Sequence, residues 1–284
     1  MSSSGFQGKQ GIAMTEEMPQ CARRIFRDPP MIGNRFSAAA ETYDRHARPQ
    51  LALAQSVVSM LPETYPEQIL ELGAGTGQLT RLLTERFPDV LIEAIDLAEK
   101  MVTHSQVKFR RFPQISWRVG DAQTWRGEAP YPLIVSSAAL HWVTDLKTTC
   151  ENIYQNLEPG GFFALGMMLK GTLRELHELR NEITPEKTPR IALPTYEETK
   201  ACLQAAGFTL ERRKHSEEEI LYENASVFLK AIHEQGVTGG KVSMGNAPLS
   251  RTELGQLVAD YQENYASDGG VYATYETATF LLTR

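Results

Sequence analysis

The sequence is poor in features that would have named a chemistry outright. Cysteine occurs three times in 284 residues, at Cys21, Cys150 and Cys202. The three are odd in number, far apart and without metal-ligand spacing. This argues against a disulfide framework and a zinc site, and predicts a reduced, cytoplasmic protein without a metal. Basic residues are not in excess: 29 Lys and Arg stand against 35 Asp and Glu, for a net charge of −6. Duplex nucleic-acid binders are usually basic, so no nucleic-acid partner is expected. Long apolar runs are missing as well. Residues 1–30 hold none, so neither a secretory signal nor a transmembrane helix is read there and no membrane association is expected. Residues 1–34 read as a flexible tail, with Met14 and Met31 leaving a later start open. No repeat or low-complexity block is visible.

What is present is an alternation of strand and helix. A chain that is 42% hydrophobic is long enough for one large core or two small ones. Residues 51–61 place Leu51, Ala54, Val58 and Leu61 on one helical face. "QILELG" (68–73) is a short apolar strand, followed by Leu79, Leu82, Leu83 and Phe87 at helical spacing. "VLIEAID", "ISWRVGD", "LIVSSA" and "GFFALGMM" are further strands. Leu146, Cys150, Ile153 and Leu157 form a helix between the last two, ended by "EPGG" (158–161). Such alternation over 68–168 predicts an α/β domain, with a parallel sheet covered by helices on both faces. Beyond it, helices are expected over 195–208, 225–237 and 251–265, a charged strand over 209–222 and a long final strand over 270–282. No linker separates this region, so residues 35–284 read as one domain: a lid and helix (35–66), a core (67–168), and a part that completes the sheet and caps the site (169–284).

"ILELGAGTGQLT" (69–80) carries glycines at 73, 75 and 77. A dinucleotide fingerprint, G-x-G-x-x-G, would need a glycine or alanine where Gln78 stands, and no Gly-Lys-Ser/Thr of a P-loop follows. Three glycines also suit a plain tight strand-to-helix turn. The stretch "ELGAGTG", opened by Glu71, resembles the first motif of Rossmann-like S-adenosylmethionine-dependent methyltransferases. That resemblance implies a mostly parallel sheet with an antiparallel final strand, and a cofactor whose amino-acid end lies against Gly73, Gly75 and Gly77. Asp96 ends the next strand and can accept both ribose hydroxyls; an aspartate there also suits a helix cap. Asp121 in "GDAQTW" would accept from the adenine amino group, with Leu97, Met101 and Ala122 as walls of the adenine site. Ser136 or Ser137 would contact the methionine end, and Gln50 the cofactor carboxylate. All the main motifs sit at strand C-termini, the edge where open α/β sheets bind ligands.

Fold alone does not name a substrate. "FSAAAETYDRHARPQ", "SSAALHWVTDL", "GVTGG" (236–240), "LSRTELGQLVADYQENY" and the terminal "GVYATYETATFLLTR" together resemble the malonyl-acyl-carrier-protein O-methyltransferases of biotin synthesis. The resemblance runs from about residue 35 to the C-terminus. It implies methylation of the free malonyl carboxylate, held on carrier protein or coenzyme A, by a monomer. A carboxylic acid with a pKa of about 4 is roughly 99.9% ionised at pH 7, so the absence of a general-base pair is no obstacle. Tyr43 and His141 are the candidate catalytic residues, Trp142 a wall of the substrate pocket, and Arg110 and Arg111 a docking site for the acidic carrier. For each a plainer structural role is open: helix packing, a loop histidine, a core indole, a solvated face. Alternatives are a methyltransferase for a free small acid or a quinone ring, and a binding protein without turnover.

Overall fold

The computed structural model describes residues 29–187, 193–236 and 248–284. Cys21, Met14 and residues 237–240 of "GVTGG" lie outside the described residues. Three helices come first: α1 (Pro29–Ala39), α2 (Tyr43–His46) and α3 (Arg48–Met60). Helix α1 begins inside the stretch read as a tail.

Then strand and helix alternate: β1 (Gln68–Leu72), α4 (Gln78–Arg86), β2 (Leu91–Asp96), α5 (Glu99–Lys108), β3 (Ile115–Val119), β4 (Tyr131–Ser137), α6 (Leu146–Asn156) and β5 (Leu157–Met168). Helix α6 ends at Asn156, two residues before "EPGG", and those four residues already belong to β5. After β5 come α7 (Arg174–Ile183), α8 (Tyr196–Ala205), β6 (Thr209–Tyr222), α9 (Ala225–Glu234), α10 (Arg251–Asn264), β7 (Ala266–Ser267) and β8 (Gly270–Thr283). Helix α7 was not read from sequence. Its Leu176 and Leu179 are buried in the cluster that also holds Phe228 and Tyr261.

The sheet runs β3-β2-β1-β4-β5-β8-β6, with β7 beside β8. Strands β1 to β5 pair in parallel, whereas β8 inserts antiparallel between β5 and β6. This is the mostly parallel sheet with an antiparallel final strand that the sequence implied. Parallel strands buried on both faces need not alternate, and β1 is buried at every residue from Ile69 to Leu72. Strand β6 stays charged because it is the sheet edge and most of its side chains face solvent. Cys150 is a buried free thiol.

Strand order reverses between β1 and β4, so a crevice opens at their C-terminal ends. Helices α1 and α2 lie over it: Ala40 packs with Ala98 and Met101, with Phe36 and Tyr43 against them.

Candidate functional site

The crevice holds an open-mouthed cavity with an accessible volume of about 130 Å³. Its floor is the glycine turn. Gly75 has φ +55° with nothing within 4 Å of where a Cβ would stand, so the backbone itself faces the cavity. Gly77 plays another part. A Cβ there would lie 2.4 Å from the Phe109 ring, and Gly77 does not line the cavity. Its missing side chain makes room for the α5 aromatic, which corrects the cofactor contact expected of it.

Asp96 sits at the end of β2 and accepts N–H donors from Gly75 and Ala98, each at 2.8 Å. Each carboxylate oxygen thus keeps a lone pair for a ligand. Burial raises the Asp96 pKa against those two backbone hydrogen bonds. Glu71 is 1% exposed and lines the same cavity. Burial pushes its pKa up to about 8; the Thr80 hydroxyl, which donates to it at 2.7 Å, opposes the rise, and the charge of Asp96 adds to it. Three acidic side chains, Glu71, Asp96 and Asp121, and no Lys or Arg in its described lining suit a ligand with positive charge.

Asp121 lies two residues past β3 and accepts from the Gln123 backbone and amide. Leu97, Met101 and Ala122 complete that end of the cavity. The two serines of β4 part company. Ser136 is fully buried and donates to the Leu72 carbonyl at 2.8 Å, so it does not serve the cavity, against expectation. Ser137, at the strand end, lines it with a buried hydroxyl that has no partner. Gln50 lines it too, but its amide nitrogen is directed to Gln235 at 3.3 Å. Its oxygen is buried and without a partner, and an amide oxygen cannot donate to a carboxylate.

A second, smaller chamber with an accessible volume of about 40 Å³ shares walls with the first: Phe36, Tyr43, Gln50, Ala138 and Trp142 line both. Ala138 takes φ +53° directly after β4, uncommon for a residue with a Cβ, and turns the chain into the short 3-10 helix Leu140–Trp142. Trp142 meets Phe36 edge-on at 5.3 Å between centroids. His141 is 6% exposed, so it is no solvent-loop histidine, and it lines the second chamber alone. Tyr43 is half-buried on α2; burial and then the charges of Asp96 and Asp44 raise its pKa, so its hydroxyl stays protonated at neutral pH. Thr172, Leu173, Ile232 and Tyr275, none singled out in the sequence, close this chamber.

Arg110 and Arg111 are exposed in the turn after α5. Their basic neighbours are spoken for: Lys108 bonds Asp44 and the Thr76 carbonyl, both at 2.8 Å, and Arg118 pairs with Glu93. Among the described residues no helix is long and apolar enough to cross a membrane, and no cluster of His, Cys, Asp or Glu could hold a metal.

A methyltransferase-domain family model matches residues 69–161, the stretch that builds the glycine turn and its neighbours. A malonyl-[acyl-carrier protein] O-methyltransferase of Chlorobium phaeovibrioides is 30% identical over 268 residues, covering 91% of this chain and 97% of that protein. The chain belongs to that family. A member of the same name from Priestia megaterium is 28% identical over 271 residues, covering 89% of this chain and 97% of its own. The YcgJ protein of Bacillus subtilis superposes with a TM-score of 0.59 at 15% identity, over 82% of this chain and 98% of that one. A geranyl diphosphate C-methyltransferase of Streptomyces coelicolor, solved with S-adenosyl-L-homocysteine, gives 0.51 at 11% identity, over 82% and 78%. These two show the fold. The match to these relatives covers the chain well beyond the glycine turn, so the chain is a methyltransferase.

Proposed function

We propose that the protein transfers the methyl group of S-adenosylmethionine to the free carboxylate of a malonyl group carried as a thioester on acyl-carrier protein, giving the methyl ester. The observation that carries this reading is the pair of adjoining chambers meeting at Tyr43, Gln50 and Trp142, in a chain that matches the malonyl-carrier methyltransferases nearly end to end. The names of those relatives supply the acyl group and the carrier, and the chambers supply a place for each reactant.

The larger chamber fits the cofactor. Asp96 would accept the ribose hydroxyls, Asp121 the adenine amino group, and Leu97, Met101 and Ala122 would sandwich the base. The open Gly75 backbone and the unpartnered Ser137 hydroxyl would take the amino-acid end. When bound, the cofactor supplies an electrophilic methyl on a sulfonium. The malonyl oxygen forms a bond to that carbon as the carbon–sulfur bond breaks; the electron pair leaves on sulfur and no proton moves.

The chain's own residues therefore position and exclude water rather than exchange protons. Tyr43, kept protonated, and His141 would donate to the anionic oxygens, and Trp142 would offer an aromatic face that attracts a nearby sulfonium modestly. Orientation of the two reactants can supply up to about 7–11 kcal/mol of the barrier. Cancelling a carboxylate against a sulfonium is favoured in a site from which water is excluded.

Turnover with malonyl-carrier, malonyl-coenzyme A and a panel of free short acids tests this. The thioesters are expected to react far faster than malonate. Faster turnover of a free acid or a quinone would overturn the substrate while leaving the cofactor site standing.

A further inference from the structure

We infer that Gln235, at the end of α9, is a positioning residue that locks the Gln50 amide with its oxygen toward the chambers, so that this point of the site selects a cationic ammonium group of the ligand. The inference rests on the cofactor reading above and adds to it a residue and a polarity that the motif does not contain.

The polarity follows from a short relay whose first member cannot be reversed. The carbonyl of His46, the last residue of α2, can only accept. Gln235 donates its amide nitrogen to it at 2.5 Å. Gln235 is 1% exposed, so its amide oxygen also needs a partner, and Gln50 supplies its nitrogen at 3.3 Å. Turning the Gln50 amide over would set two amide oxygens against each other in a buried place. The Gln50 oxygen is thereby left buried and without a partner, on a residue that lines both chambers.

A buried acceptor without a donor is unfavourable until a ligand completes it. A carboxylate would be repelled there, whereas an ammonium would make a charge-assisted hydrogen bond. The amino-acid end of the cofactor carries both groups, and the Ser137 hydroxyl, which can donate, is available for the other.

The first member of the relay is held from two more sides. Thr42 donates to the Glu234 carbonyl at 2.9 Å, and the His46 ring meets the Glu234 carboxylate at 2.6 Å. Helix α2 is thus clamped to the end of α9 where Gln235 stands.

The test is calorimetric binding of S-adenosylhomocysteine against its desamino analogue, which lacks only the ammonium. The wild-type protein is expected to prefer the ammonium-bearing ligand by about tenfold or more. Gln50→Leu and Gln235→Met should each lose most of that preference, and the double variant should lose no more than Gln50→Leu alone. Gln50→Glu, which keeps an acceptor, should retain it; this variant stands as the control should Gln235→Met melt at a much lower temperature. Variants that weaken both ligands equally, or a Gln235→Met protein with its preference intact, would overturn the inference alone. No binding of S-adenosylhomocysteine to the wild type would overturn the cofactor reading and the inference with it.

Discussion

Glu71 concentrates the electrostatics of the site in one side chain. Its carboxyl is raised to about 8, so the free protein holds it mostly neutral at pH 7. A cation bound beside it favours the ionised form, and binding then releases a proton. The sign is fixed. Affinity for S-adenosylhomocysteine should rise from pH 6 toward pH 8 by up to about tenfold per unit, then level off. The ligand's own amino group, with a pKa near 8, works in the opposite sense above that pH. Glu71→Gln, which still accepts from Thr80, isolates the Glu71 part: its affinity should be nearly flat below pH 8, with proton release on binding lost. Equal pH profiles for the two proteins, measured by calorimetry in two buffers, would contradict the assignment. In the unliganded protein the same shift acts on stability. A carboxyl raised above its unfolded value favours folding less as pH climbs from about 4.5 to about 8, so Glu71→Gln should raise the melting temperature more at pH 8.5 than at pH 5. The acidic residue itself is visible in "ELGAGTG"; its neutral state is not, because burial by α4 and the nearness of Asp96 are facts of packing.

At the scale of elements, the lid is fastened to the glycine turn by a single carboxylate. Asp44 on α2 accepts from Thr76 at 2.6 Å, Gln78 at 3.2 Å and Lys108 at 2.8 Å. Burial alone would raise its pKa, but the hydrogen bonds from Lys108 and Thr76 outweigh it and the net shift is downward. This fastening is present above the ordinary aspartate pKa of about 3.9 and is lost only as pH falls below it. Asp44→Ala should leave the sheet intact but free α1 and α2. Hydrogen exchange over 29–47 should speed up several-fold with no change in β1 or β4, and the KM for the cofactor should rise about tenfold. Unchanged exchange in α1 and α2 would mean that the packing on Met101 and the bonds of α2 to the end of α9 hold the lid without Asp44. The parallel strands were legible in the sequence because most are local apolar runs bounded by turn residues. Helix α7 was not, since "RELHELRNEI" is rich in charge and only two leucines reach the core. Ser136 could not be told from Ser137, because a parallel strand covered on both faces gives no alternation to read. What separates them is that Ser137 stands at the strand end, where side chains enter the crevice.

At the scale of the molecule, the sequence singles out many residues that line the first chamber and only Tyr43, Gln50, His141 and Trp142 of the second. Glycine turn, Asp96 and Asp121 follow one another along consecutive strands, so their spacing is written in the sequence. The second chamber draws Thr172, Ile232, Gln235 and Tyr275 from parts of the chain that meet only when β8 inserts between β5 and β6. Gly77 is the converse case: a motif residue whose partner, Phe109, lies a helix away. The outer surface carries its own expectation. With Lys108 and Arg118 paired internally, Arg110 and Arg111 remain as exposed basic groups for an acidic carrier. Reversing both to glutamate should raise the KM for malonyl-carrier about tenfold and leave malonyl-coenzyme A unaffected; equal effects on the two would remove this face from the docking account.

One measurement tests the central claim most directly. Purified protein, S-adenosylmethionine and malonyl-carrier protein are incubated together and the carrier is weighed intact by mass spectrometry. The account predicts a gain of one methyl group on the malonyl-carrier, removable by an esterase and absent when acetyl-carrier replaces it. A carrier that gains no mass while the protein still binds S-adenosylhomocysteine, or a gain that an esterase cannot remove, would contradict it.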